Sequence, residues 1–182
     1  METKEQYDKQ TQLAKEIFVK KTQDYGVSWS IFRPKSLTDQ IFIKAFRIRT
    51  LQEKGVQKVD DNVIDDFIGL VNYSIMGLIQ LETSHNGLLT KEEAIEKYEH
   101  HLEKILKLHH DKNHDYGDIW RQLRISSMTD VILVKLCRIR EIENNNGKTV
   151  VSEGIASGYQ DIVNYAIFCL ILISEGKRPL VD

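Results

Sequence analysis

The sequence predicts an all-α fold, a tandem duplication of a three-helix unit folded into one pseudo-twofold bundle. Three observations carry that expectation. The chain matches itself at a nearly constant offset, its apolar residues recur at helical spacing, and strand signals are nearly absent. No alternating apolar and polar run is bounded by hairpin turns, and only two prolines occur in 182 residues.

The self-match is dense. Asp24-Tyr25-Gly26 returns as Asp115-Tyr116-Gly117, an offset of 91, and the alignment runs without gaps to Arg49 against Arg140 with 13 identities in 26 positions. Trp29/Trp120, Arg33/Arg124, Thr38/Thr129, Lys44/Lys135 and Arg47/Arg138 are among them. Upstream, Glu5 and Tyr7 fall on Glu96 and Tyr98. One inserted residue downstream moves the offset to 92, which aligns Gly55 with Gly147 and Val71-Asn72-Tyr73 with Val163-Asn164-Tyr165. The units are residues 1–84 and 85–182, each too small to bury much surface alone, so a shared core is expected.

Each unit reads as three helices. The first covers about Lys4 to Thr22, and its counterpart starts after Thr90, an N-cap with Glu93 placed for a capping box, and runs to about His110. The second begins near Ser36 or Ser127 and carries Ile41, Ala45 and Ile48, or Ile132, Leu136 and Ile139, on one face. Gly55 and Asn146-Gly147 end it. The third carries Val63, Phe67, Leu70 and Val71, or Ile155, Tyr159, Ile162 and Val163, as an apolar stripe.

With 25 basic against 27 acidic residues the formal net charge is −2, which argues against strong binding to a nucleic-acid backbone and leaves phosphate recognition to local groups. Met1 to Lys21 is charged and polar rather than signal-like, so a cytoplasmic protein is expected. The longest apolar run, Ile162 to Ile173, is interrupted by Asn164 and reads as a buried helix rather than a membrane span. Cys137 and Cys169 lie amid apolar residues and are expected to be free, buried thiols. Asp111-x-Asn113-x-Asp115 is not a calcium loop, because its glycine falls at the seventh position and Gln122 stands where a bidentate Glu is required. His110 and His114 lack a third zinc ligand.

The candidate chemistry lies on the second and third helices. Asp61 and Asp65 in one unit, with Glu153 and Asp161 in the other, form an acid ladder on one helix face that ends at Asn72 or Asn164. Gly69 replaces the third acid of unit one, and Ser157 the second of unit two. Carboxylates stacked this way suit Mg²⁺ with a substrate phosphate completing its shell, or ion pairs with a neighbouring helix. Lys44 with Arg47, and Lys135 with Arg138, lie one turn apart, so both heads of a pair can face one point. A phosphate and the ladder acids are the two partners open to them. Tyr25, Trp29, Tyr116 and Trp120, around the glycine that ends each first helix, suit either stacking on a base or closing the core.

With Asp-Tyr-Gly-x-x-Trp, Lys-x-x-Arg-Ile and Asp-x-x-Asn-Tyr in hand, both halves resemble the nucleotide modification associated domain 1 family. That resemblance implies a role in nucleotide metabolism or base modification. The acid ladder is also similar to MazG-like all-helical nucleotide pyrophosphohydrolases, which implies helical carboxylates holding Mg²⁺ against a triphosphate. Against that second likeness, the first helices offer only Glu16, or Glu99 with Glu103, in place of a Glu-Glu-x-x-Glu motif.

Three functions follow as alternatives: Mg²⁺-dependent hydrolysis of a nucleotide phosphoanhydride, nucleotide binding without turnover, and a structural interaction protein. In the first two, Asp61, Asp65, Glu153 and Asp161 face the metal and Lys44, Arg47, Lys135 and Arg138 the phosphates. Tyr25, Trp29, Asn72, Tyr116, Trp120 and Asn164 meet base or sugar. A homo-oligomer is compatible with all three.

Overall fold

A computed structural model describes residues 2–58, 62–83, 87–151 and 153–181 of the chain. The described residues form six α-helices, α1 Thr3–Tyr25, α2 Pro34–Lys54, α3 Val63–Glu82, α4 Lys91–Tyr116, α5 Ile125–Asn144 and α6 Ile155–Ser174. Short 3-10 turns, Ser28–Ile31 and Ile119–Gln122, follow α1 and α4, and no strand is present among these residues.

The order helix, 3-10 turn, helix, helix occurs twice, in the register of the sequence repeat. Gly26 and Gly117 cap α1 and α4 with φ of +71° and +58°, a conformation that side chains other than glycine resist. Both helices extend further than their apolar spacing indicates, since Asp24-Tyr25 and Asp115-Tyr116 form their last turns. Thr90 and Glu93 form the expected capping box at the start of α4. Gly55 ends α2 in the left-handed region at φ +67°.

The strongest helix contact is between the third helices, α3 against α6, and α2 and α5 flank them and touch one another. Gly77 makes the close approach: a Cβ there would come 2.8 Å from a ring carbon of Tyr159. One apolar cluster draws on all six helices, from Tyr7 and Phe18 through Phe67 and Ile75 to Tyr98, Leu136 and Ile167. The two units therefore share a core. By length and composition α3 and α6 are apolar enough to cross a membrane, yet most of each is buried against protein here. Both cysteines are free, but only Cys169 is buried; Cys137 is exposed, because it falls on the outer face of α5.

Two buried contacts tie the units reciprocally. Tyr7 on α1 donates to Asn164 Oδ1 on α6 at 2.5 Å, and Tyr98 on α4 donates to Asn72 Oδ1 on α3 at 2.7 Å. Tyr7 stacks on His109 with centroids 3.8 Å apart, and Tyr98 stacks on Phe18 at 4.2 Å. His109 and Phe18 occupy the same repeat position, so each first helix packs its tyrosine on the other first helix and on the opposite third helix.

Candidate functional site

Two clefts occupy equivalent places, one per unit. The first, about 650 Å³, lies between α1, the following 3-10 turn and α3, and is lined among others by Lys21, Tyr25, Trp29, Asp65, Gly69 and Tyr73. The second, about 340 Å³, is lined by the counterparts Lys112, Tyr116, Trp120, Asp161 and Tyr165, with Lys135. The positive φ at Gly26 and Gly117 turns the chain so that each 3-10 turn folds back over its helix end and forms the outer wall.

In the second cleft Asp161 is held by two lysines. Lys135 Nζ lies 2.7 Å from Oδ2 and Lys112 Nζ 3.4 Å from Oδ1. In the first cleft Lys21 and Lys44 stand at the matching positions, but Gly69 replaces the aspartate, and the Lys44 methylenes would lie 3.4 to 3.6 Å from a Cβ at that position. Lys21 makes no ion pair with any described residue. Lys44 and Arg47 instead both reach Asp66, with Lys44 Nζ 3.2 Å from Oδ1. Asp66 is 2 % exposed, and its counterpart is Gly158, where a Cβ would come 2.8 Å from Ile139. Between the units, aspartate and glycine have exchanged places one helical turn apart.

Of the expected phosphate ligands, Lys44, Arg47 and Lys135 face third-helix carboxylates. Arg138 does not, because its counterpart acid is Gly158; it is exposed in a groove between α5 and α6 and has no ion pair among the described residues. Of the ladder acids, Asp65 is exposed at the rim of the first cleft, Glu153 is exposed in the α5–α6 groove, and Asp61 lies outside the described residues. Glu16 accepts a hydrogen bond from Gln12, Glu99 pairs with Lys15 at 2.6 Å, and Glu103 is exposed. Among the described residues no three His, Cys, Asp or Glu side chains converge. Among the described residues each cleft is lined by a single acid, Asp65 in the first and Asp161 in the second, and Asp161 is already paired with two ammonium groups, a donor set too small to hold magnesium without a ligand phosphate.

The aromatic and amide candidates divide. Tyr25 and Tyr116 stand 74 % exposed at the cleft mouths. Trp120 closes the core instead of presenting a face, because Phe168 stacks on it at 4.4 Å and the Arg121 guanidinium lies over its ring. Trp29 is less covered; it meets Phe18 edge-on, and its indole N–H is buried without a partner among the described residues. Asn72 accepts from Tyr98 and donates to Ala14 O at 3.1 Å, and it also lines the first cleft. Asn164 gives its oxygen to Tyr7, while its side chain still lines the second cleft.

Sequence reasoning missed Asp66, Lys21 and Lys112. Asp66 lies inside the apolar stripe between Val63 and Leu70, a position that demands a cationic partner. Lys21 and Lys112 are identical at the same offset, just upstream of the matched run.

Compared with known proteins, residues 21–81 and 112–173 both match the family model for nucleotide modification associated domain 1, and these two segments contain most of the residues that line both clefts. No curated protein and no solved structure matches the chain. Two matched segments covering most of the sequence, each folding as the same helical unit, establish that the chain belongs to the nucleotide modification associated domain 1 family in two tandem copies.

Proposed function

We propose that the chain binds a nucleotide in the first cleft, its phosphate at Gly69 beside Lys21 and its base against the apolar wall of Trp29, Ile68 and Met76. One observation carries this: both units keep the first-helix lysine, Lys21 or Lys112, but only the second answers it with a carboxylate, Asp161, where the first has Gly69. Lys21, with no carboxylate opposite it at Gly69, suits an anion that arrives with the ligand, while Lys44 passes its methylenes over Gly69 and stays paired with Asp66. A cavity of about 650 Å³ with apolar walls and few polar groups is of the size that holds a small organic ligand. The family's association with nucleotide modification makes a nucleotide the natural candidate. Binding without turnover is favoured over hydrolysis, because Asp65 is the only described acid lining this cleft.

Calorimetry and thermal shift with nucleoside mono-, di- and triphosphates, in chelator and again with Mg²⁺, test the proposal, with pyrophosphate and phosphate release monitored in parallel. Binding in chelator is expected. Gly69→Asp supplies a tethered carboxylate and is expected to weaken binding by roughly tenfold or more. Gly69→Ala, whose methyl has the Lys44 methylenes as its nearest neighbours at 3.4 Å or more, is expected to retain it. No nucleotide bound by the parent, or equal affinity in Gly69→Asp, would overturn the assignment; turnover dependent on Mg²⁺ would replace it with hydrolysis.

A further inference from the structure

We infer that the second cleft is a self-occupied copy of the first: the Asp161 carboxylate takes the place between Lys112 and Lys135 that a ligand phosphate takes in the first, and its removal opens a second phosphate site. This rests on the assignment of the first cleft. The walls correspond residue by residue: Tyr116, Gly117, Trp120, Asn164 and Tyr165 repeat Tyr25, Gly26, Trp29, Asn72 and Tyr73. Asp161 bridges both ammonium groups, one per carboxylate oxygen. A carboxylate so placed satisfies the charge that would attract an outside anion, and being tethered it loses no translational freedom in binding. One chain therefore takes one anionic ligand, not two.

The opened site is narrower than the first. Phe168 stands where the first cleft has Met76, and it stacks on Trp120, the wall that would otherwise receive a base. The cavity is accordingly about half the size, 340 Å³ against 650 Å³. Its ligand is a compact phosphate, inorganic or on a small carbon skeleton, rather than a whole nucleotide. Asn164, whose amide nitrogen has no hydrogen bond among the described residues, adds a neutral donor beside the lysines.

The test isolates the second cleft. Gly69→Asp closes the first, and Asp161→Gly is added to it. Equilibrium dialysis with radiolabelled inorganic phosphate, alongside phosphate-dependent thermal shift, reads occupancy. One phosphate per chain is expected in the double variant and none in Gly69→Asp alone, a difference of at least roughly tenfold in affinity. Changing Lys112 and Lys135 to Met in the double variant should abolish binding. If glycine at 161 impairs folding, Asp161→Ser keeps a short polar side chain and carries the same expectation. No phosphate bound by either folded variant, with the parent binding nucleotide, overturns the inference and leaves the first assignment standing. Phosphate bound by the double variant while the parent binds no nucleotide supports the self-occupied site and overturns the first assignment.

Discussion

At the scale of single residues, the informative event is the exchange of aspartate and glycine along the third helix. Asp66 satisfies both cations of the first unit from a position 2 % exposed, whereas Asp161, one turn further along in the second, reaches Lys135 and Lys112 and leaves Arg138 outside. Removing Asp66 by Asp66→Asn leaves Lys44 and Arg47 without their carboxylate. Because both cations keep some contact with water, the expected loss is about 2 kcal/mol, below the roughly 3–5 kcal/mol of a pair buried on both sides. Arg138→Ala, at the aligned position of Arg47, should change stability by no more than about 0.5 kcal/mol. Chemical denaturation of both variants checks the contrast, and comparable losses would contradict this division of labour.

At the scale of elements, the helices, their caps and their order were legible in the sequence because each depends on local periodicity and capping chemistry. The sites were legible only in part. Apolar spacing places Lys44, Arg47 and Lys135 toward the third helix, but which acid answers them depends on how closely α5 and α6 approach. At Gly158 that approach leaves no room for a side chain. Trp120 and Asn72 carry signals that fit either a base contact or a core contact, and tertiary packing gives each a core partner while leaving it on a cleft wall. The same packing makes one helix contact sensitive to acid. His109 of α4 lies under Tyr7 of α1, where Phe18 lies under Tyr98. Burial first, and the neighbouring His110 second, lower its pKa to about 4 from an ordinary 6.5. A depressed histidine pKa means that the unfolded chain takes the proton more readily. Its contribution to stability is thus present above about 6.5 and lost as pH falls through about 4. Replacing it by the first unit's residue, His109→Phe, should flatten that loss. Near pH 4 the variant should be the more stable by roughly 1–2 kcal/mol, or about 3–6 °C in Tm, relative to its difference at pH 7.5. Parallel melting curves for both proteins across that range would count against a buried neutral imidazole.

At the scale of the whole molecule, the two copies share one apolar core. Each unit's third helix finds its main partner in the other unit, and Gly77 and Tyr159 fit together only across that boundary. The two tyrosine-to-asparagine hydrogen bonds both cross it, as do the two ring stacks beneath them. A fragment of residues 1–84 therefore exposes the α3 surface that meets α6 and leaves Asn72 without Tyr98, a buried acceptor whose loss of partner costs about 1–3 kcal/mol by itself. Segments this short have little surplus core to absorb such losses. The fragment is expected to show no cooperative thermal transition as a monomer, and so is a fragment of residues 85–182. Mixed in equal amounts, the two should restore helical circular dichroism and a single sharp melt, because every contact between the units is non-covalent. Circular dichroism with sedimentation analysis checks both halves. Were either fragment to melt sharply as a monomer, the shared core would be a contact between independent domains. In that case the two clefts would be free to evolve without regard to one another. If complementation succeeds instead, the geometry that pairs the clefts is maintained by the core itself, and the divergence at Gly69 and Asp161 is a difference between two sites held in one rigid frame.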